Sequence, residues 1–166
     1  GAIRLGTAAE LSLIGRVFAV LGLHPIGYYD LSVAGLPVHS TAFRPITAEG
    51  FSISPFRMFT SLLRLDMLPD GLRAKAEAAL ASRQIFSNKG LVLLEKEEAE
   101  GGLSVADGAA FVVEAVKIFA WRKRAHVDLR TYRALLAEHP LDDTALLNRA
   151  RGAMARMAEA QLTKYS

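Results

Sequence analysis

The chain has 166 residues, 51% of them hydrophobic and 22% charged, a composition that supports a packed core and excludes a disordered chain. Lys and Arg number 20 against 17 Asp and Glu, a net charge of +3 that is too weak and too scattered for a dedicated nucleic-acid binder. There is no cysteine, which excludes disulfides, thiolate metal sites and thiol nucleophiles, and no apolar run reaches the roughly 18 residues of a membrane span.

Gly1 to Gly6 reads as a strand, about residues 2–6. Thr7, with Glu10 three residues later, forms a capping-box signature for a helix over 8–21. Leu11, Ile14, Phe18 and Leu21 recur at helical spacing and are the expected buried face. Gly22 suits the left-handed position that ends a helix, and Pro25 blocks any continuation. The β-branched and aromatic residues of 26–33 and 38–44 predict a hairpin joined through Ala34-Gly35-Leu36-Pro37. A fourth strand is expected within Phe56–Met67.

Helical signals follow. Asp70 is the expected cap of a helix to about Gln84, and a second runs from Lys89 to Glu100 and stops at Gly101-Gly102. Ser104 caps a third, with Ala109, Val112, Val116 and Phe119 expected on its buried face. Asp128 caps a fourth carrying Leu129, Tyr132, Leu135 and Leu136, ended by Pro140. A last helix over 143–164 bears an apolar stripe of Leu147, Ala150, Met154 and Met157. The order β-α-β-β-β followed by helices is an α+β fold. It divides into a β-α-β-β-β unit at 1–68 and a helical segment at 69–166. The absence of a targeting segment makes a cytoplasmic setting the expectation, and a start on Gly1 is expected of a processed or partial chain.

The four histidines, His24, His39, His126 and His139, form no HxH or HExxH pair, so spacing alone defines no metal site. His24 and His139 precede prolines at element ends and read as capping or surface groups. His126 follows the basic run Trp121-Arg122-Lys123-Arg124, which complements a helix C-terminus without needing a nucleic acid. His39, in mid-hairpin, reads either as a structural histidine or as a ligand carried on a strand. Arg4 is a strand arginine among apolar neighbours. Its planar fork either grips a carboxylate bidentately or pairs with an internal acid, and Arg44, Arg57 and Arg64 share that ambiguity.

Several long motifs are distinctive in combination: Gly1-Ala2-Ile3-Arg4-Leu5-Gly6-Thr7, the run from His24 to Ser32, Leu36-Pro37-Val38-His39-Ser40-Thr41-Ala42-Phe43-Arg44-Pro45, and the run from Pro55 to Arg64. Together, and more loosely through Glu138-His139-Pro140-Leu141, they closely resemble the 2-oxoadipate dioxygenase/decarboxylase family. The resemblance implies a vicinal-oxygen-chelate-like (glyoxalase-like) fold and a mononuclear non-haem Fe(II) enzyme. Such an enzyme uses O2 to convert 2-oxoadipate to 2-hydroxyglutarate with loss of CO2 in lysine catabolism. The 2-oxo acid would chelate the iron, which is held by two His and one Glu.

In the family a metal-binding His sits immediately before the position of Gly1. The second His and the Glu belong to segments after Leu141, which Asp142–Ser166 does not match. Catalytic and metal residues are therefore expected outside this chain, which reads as a fragment or incomplete chain. Arg4 falls on the position that the family uses to hold the substrate carboxylate, and His39 is at most an outer neighbour of the site. The partners implied are a small 2-oxo acid and O2, with no nucleic acid and no membrane. Two other readings compete. One is a non-catalytic glyoxalase-like binding module. The other is a helical interaction protein that uses the 143–164 stripe.

Overall fold

The structure, a computed structural model, describes residues 1–120 and 127–138. The Trp121–Arg124 cluster, His126, His139 and the 143–164 stripe lie outside the described residues, as do the side chains of Leu135 and Leu136. Strand β1 (Ala2–Leu5) leads into helix α1 (Ala8–Val20), followed by β2 (His24–Asp30) and β3 (Val38–Arg44). A short helix α2 (Ala48–Ile53) precedes β4 (Met58–Leu63), and α3 (Asp70–Ala81), α4 (Asn88–Glu100), α5 (Val105–Ile118) and α6 (Leu129–Glu138) complete the order.

The strands form one mixed four-stranded sheet in the order β1-β4-β3-β2. Chain neighbours β2, β3 and β4 pair antiparallel, and β1 adds to β4 in parallel, with Ala2 opposite Phe59 and Arg4 opposite Ser61. The expected strand and hairpin therefore share one sheet. The hairpin register sets Asp30 opposite His39, and a bulge between Pro25 and Gly27 shifts the pairing at the start of β2. A short 3-10 turn at Ser32–Ala34 carries the chain out of β2.

One face of the sheet is covered by helices. Leu5, Phe43 and Leu62 point there and join Ile14, Val17 and Phe18 of α1, Leu93 and Leu94 of α4, and Phe111 and Ala115 of α5 in one core. Phe18 meets Phe43 edge-on, with ring centroids 5.0 Å apart, a favoured aromatic geometry. The buried face of α1 is rotated from the expected one: Val17 is buried, Leu11 is half-buried, and Leu21 is 38% exposed. The larger correction concerns α5. Its buried residues are Phe111, Glu114 and Ala115, whereas Val112 and Val116 are at least half exposed; Phe119 keeps one ring face stacked on Phe18.

The caps follow local chemistry closely. Thr7 Oγ1 accepts from the Glu10 amide, and Ser87, Ser104 and Asp128 accept from the amides of Gly90, Asp107 and Thr131, filling donors that a first helical turn leaves free. Gly101 closes α4 at φ +71°, a conformation costly for any residue with a Cβ. Two expectations fail. Pro69, not Asp70, is the cap of α3, and Asp70 is its first helical residue. Helix α2 was not expected; Thr47 caps it by accepting from Gly50.

Candidate functional site

Strand alternation sorts the site residues. On β1, Leu5 enters the core, so Arg4 and Ala2 project from the opposite face of the sheet. Paired register carries that face across Ser61, Ser40 and Tyr29, and one row along across Phe59, Ala42 and Gly27. No strand position on this face carries a carboxylate. The Tyr29 ring lies over Gly27 and tilts against Phe59, with centroids 6.5 Å apart. Ser40 is buried there and donates to the Thr60 carbonyl at 2.8 Å.

Arg4 is exposed and makes no hydrogen bond or ion pair with any described residue. Arg64 behaves differently. Its Nη2 lies 2.6 Å from Asp66 and its Nη1 3.5 Å from Asp30, so it is an internal pair. The Arg64 guanidinium, bonded to Asp66, holds that carboxyl below the ordinary carboxylate range. The Asp30 carboxyl is lowered chiefly by accepting from Ser32. Arg57 stays exposed beside the entrance to β4 and accepts the Gly1 amine at its carbonyl.

His39 projects from the helix-bearing face, away from Arg4. Its Nδ1 lies 3.0 Å from the Tyr28 hydroxyl, and the two rings meet edge-on. That contact, with Asp30 opposite in the register, is a polar cluster at the sheet edge rather than part of the Arg4 surface. His24 pairs with Arg44 and shares the Arg4 face, two rows further along. Among the described residues, no three His, Asp or Glu side chains come together as a metal-holding group. The described residues therefore do not fit the implied iron, and no iron-dependent step is derived from them.

The end of β1 is held by Glu10. Its carboxylate accepts the Gly6 amide at 2.6 Å and bonds the guanidinium of Arg83 from the loop after α3. The capping box is thus only half made: Thr7 caps α1, but Glu10 turns to Gly6 and Arg83 rather than back to Thr7. A shallow apolar cleft between α1, α4 and α5 is lined by Val17, Phe86, Leu94 and Phe111. Its polar groups bond each other, Ser87 donating to Glu114 at 2.7 Å with Lys117 on the second carboxylate oxygen, so it offers nothing to an acid. Sequence reasoning singled out Arg4 but missed Ser61 and Tyr29 beside it. The parallel β1–β4 register reveals Ser61, and the β3–β4 and β2–β3 registers extend the row to Tyr29.

A family model described as 2-oxoadipate dioxygenase/decarboxylase matches residues 1–148. Relatives of that name from Pseudomonas putida and Escherichia coli are each 51% identical over 142 residues, 85% of this chain. The chain spans about a third of their length, 31% and 32%. The crystal structure of the hydroxyglutarate synthase from Pseudomonas putida matches at TM-score 0.81 and 51% identity, over 85% of this chain and 33% of that one. The same enzyme in complex with 2-oxoadipate matches at TM-score 0.80. A glyoxalase superfamily protein from Ralstonia eutropha, 22% identical, covers 87% of this chain and 45% of its own at TM-score 0.64 and shares the fold. From its sequence and its sheet alike, the chain belongs to the 2-oxoadipate dioxygenase/decarboxylase family.

Proposed function

We propose that this chain supplies the carboxylate-binding sheet of an enzyme that converts 2-oxoadipate to 2-hydroxyglutarate with loss of CO2. The observation that carries the reading is Arg4, an unpaired guanidinium on a sheet face without carboxylates, in a chain half identical to enzymes named for that substrate. Iron(II), O2 and a place in lysine catabolism belong to this proposal as the chemistry of the family. The iron ligands are assigned to segments other than the described residues. A cytoplasmic setting is part of the same proposal; among the described residues no helix is long and apolar enough to cross a membrane.

The role of this chain is binding and orientation. Two parallel N–H···O bonds from Arg4 to a carboxylate fix the acid in one direction as well as attracting it. Orientation of that kind lowers the entropy lost on reaching a reactive geometry. Tyr29 and Phe59 form an apolar flank for the methylene chain, which limits water beside it. The test is a 2-oxoadipate titration of the wild type and Arg4→Lys. Lysine keeps the charge but loses the paired bonds, so affinity is expected to fall by about 1–3 kcal/mol. Unchanged affinity would make Arg4 a solvated surface residue and remove the main support for the reading.

A further inference from the structure

Strand β1 is short and lies at the edge of the sheet, held on one side by β4. The Phe59 amide donates to the Gly1 carbonyl. The alternation of a parallel ladder then turns the backbone groups of Ile3 and Leu5 toward β4 and those of Ala2, Arg4 and Gly6 toward the free edge. On that edge Glu10 supplies an acceptor: the Gly6 amide, two residues beyond Arg4, donates to its Oε2 at 2.6 Å. Glu10 is itself held by Arg83, whose Nε donates to Oε1 at 3.2 Å and whose Nη2 donates to Oε2. Both partners are less exposed than those of any other described arginine–carboxylate pair. The helix end that delivers Arg83 is fixed as well. The Arg83 amide donates to the Leu80 carbonyl at 3.0 Å, and the Leu80 side chain lies against Gly6, where it leaves no room for a Cβ.

We infer that Arg83 is a positioning residue of the carboxylate site: acting through Glu10 and the Gly6 amide, it fixes the end of β1 and so the direction in which Arg4 is presented. This rests on the reading of the Arg4 face as the 2-oxo acid site. Arg4 has no side-chain partner among the described residues, so its strand alone orients it. Paired bonds to a carboxylate demand that orientation within roughly half an ångström, and a strand end without partners frays. A buried ion pair gains little stability over apolar side chains of the same volume. What Arg83 and Glu10 provide is a single position for the strand end. The end of α3 thereby acts on a ligand that it does not touch.

The experiment is an NMR titration of the full 166-residue chain with 2-oxoadipate. The proteins are wild type, Arg83→Gln, Arg83→Lys, Arg4→Lys and the double variant Arg4→Lys with Arg83→Gln, at a temperature where circular dichroism shows them folded. Arg83→Gln is expected to weaken 2-oxoadipate binding by about three- to tenfold, the range of coupling through a packed network. In the Arg4→Lys background the same change should cost nothing further, because the paired bonds that it protects are already lost. Amide exchange at Leu5 and Gly6 should quicken in Arg83→Gln by more than at Ser40 and Thr41 of β3. Arg83→Lys keeps the charge but not both bonds to Glu10, so its affinity should fall between wild type and Arg83→Gln; it carries the test should Arg83→Gln fail to fold. Wild-type affinity in the folded Arg83 variants, unchanged exchange at Leu5 and Gly6, or a loss that recurs undiminished in the Arg4→Lys background would make the pair purely structural and overturn the inference. Failure of wild type to bind 2-oxoadipate would instead overturn the functional reading beneath it.

Discussion

The Glu10–Arg83 contact gives the strongest stability prediction. Glu10 is 8% exposed, and its carboxylate serves both the Gly6 amide and the Arg83 guanidinium. Glu10→Ala removes the acceptor from a buried amide, a loss of about 1–3 kcal/mol. It also strands a cation, which costs about 3–5 kcal/mol when the pair is fully buried. Arg83 keeps 18% of its side-chain surface in water, so part of the second cost is recovered by hydration. The expected total is about 3 kcal/mol, or a fall in Tm of roughly 6–12 °C for a chain of this size. Urea unfolding followed by circular dichroism measures it. The surface pair Arg16–Glu98 is the control, since Glu98→Ala should cost about 1 kcal/mol or less. A Glu10→Ala loss no larger than that, or strict additivity with Arg83→Ala, would refute the reasoning.

Two further predictions concern the helices. Gly101→Ala should destabilise by about 1 kcal/mol because the backbone there holds φ +71°; Gly102→Ala, in open space at an ordinary φ, should be near neutral, and equal effects on the urea midpoint would refute the backbone argument. The bonds from Lys117 and Ser87 hold the Glu114 carboxyl below its ordinary range, and those from Lys96 and Ser104 do the same for Asp107. Between folded and unfolded pKa values the unfolded chain binds more protons, so stability is held above about pH 5 and lost as pH falls through the lowered values. Glu114→Gln should flatten the decline between pH 5 and pH 3 in a urea-midpoint series, and an unaltered slope would discount the Glu114 contribution.

Elements written by local chemistry were legible in the sequence. Thr7, Ser104 and Asp128 announce their helices because a cap needs only residues within one turn, and the β-branched runs flanking Gly35 predict the hairpin for the same reason. What failed depends on partners distant in the chain. Ala109, Val112 and Val116 imitate a buried stripe, but α5 exposes them and turns Glu114 inward, and only Ser87 and Lys117 make that tolerable. Leu21 leaves the α1 face because the helix ends at Val20 and Leu21 is its cap, while Val17 takes the buried position. For the site, Arg4 was readable through resemblance, whereas its neighbours Ser61 and Tyr29 were not. Placing those residues on one face required the β1–β4, β3–β4 and β2–β3 registers, which no local pattern encodes.

The parallel pairing of β1 with β4 also has a kinetic meaning. Strands β2, β3 and β4 close short loops, whereas β1 must wait for a partner at the far end of the unit, with Ala2 meeting Phe59. Relative to the β2–β3 turn, that closure costs about 2 kcal/mol more in chain entropy, and contacts of such separation form slowly. The strand bearing Arg4 is therefore the part of the sheet whose ordering is most sensitive to the length and stiffness of the chain between 6 and 57. A change in that connection would alter how firmly the arginine is presented without touching any residue of the site.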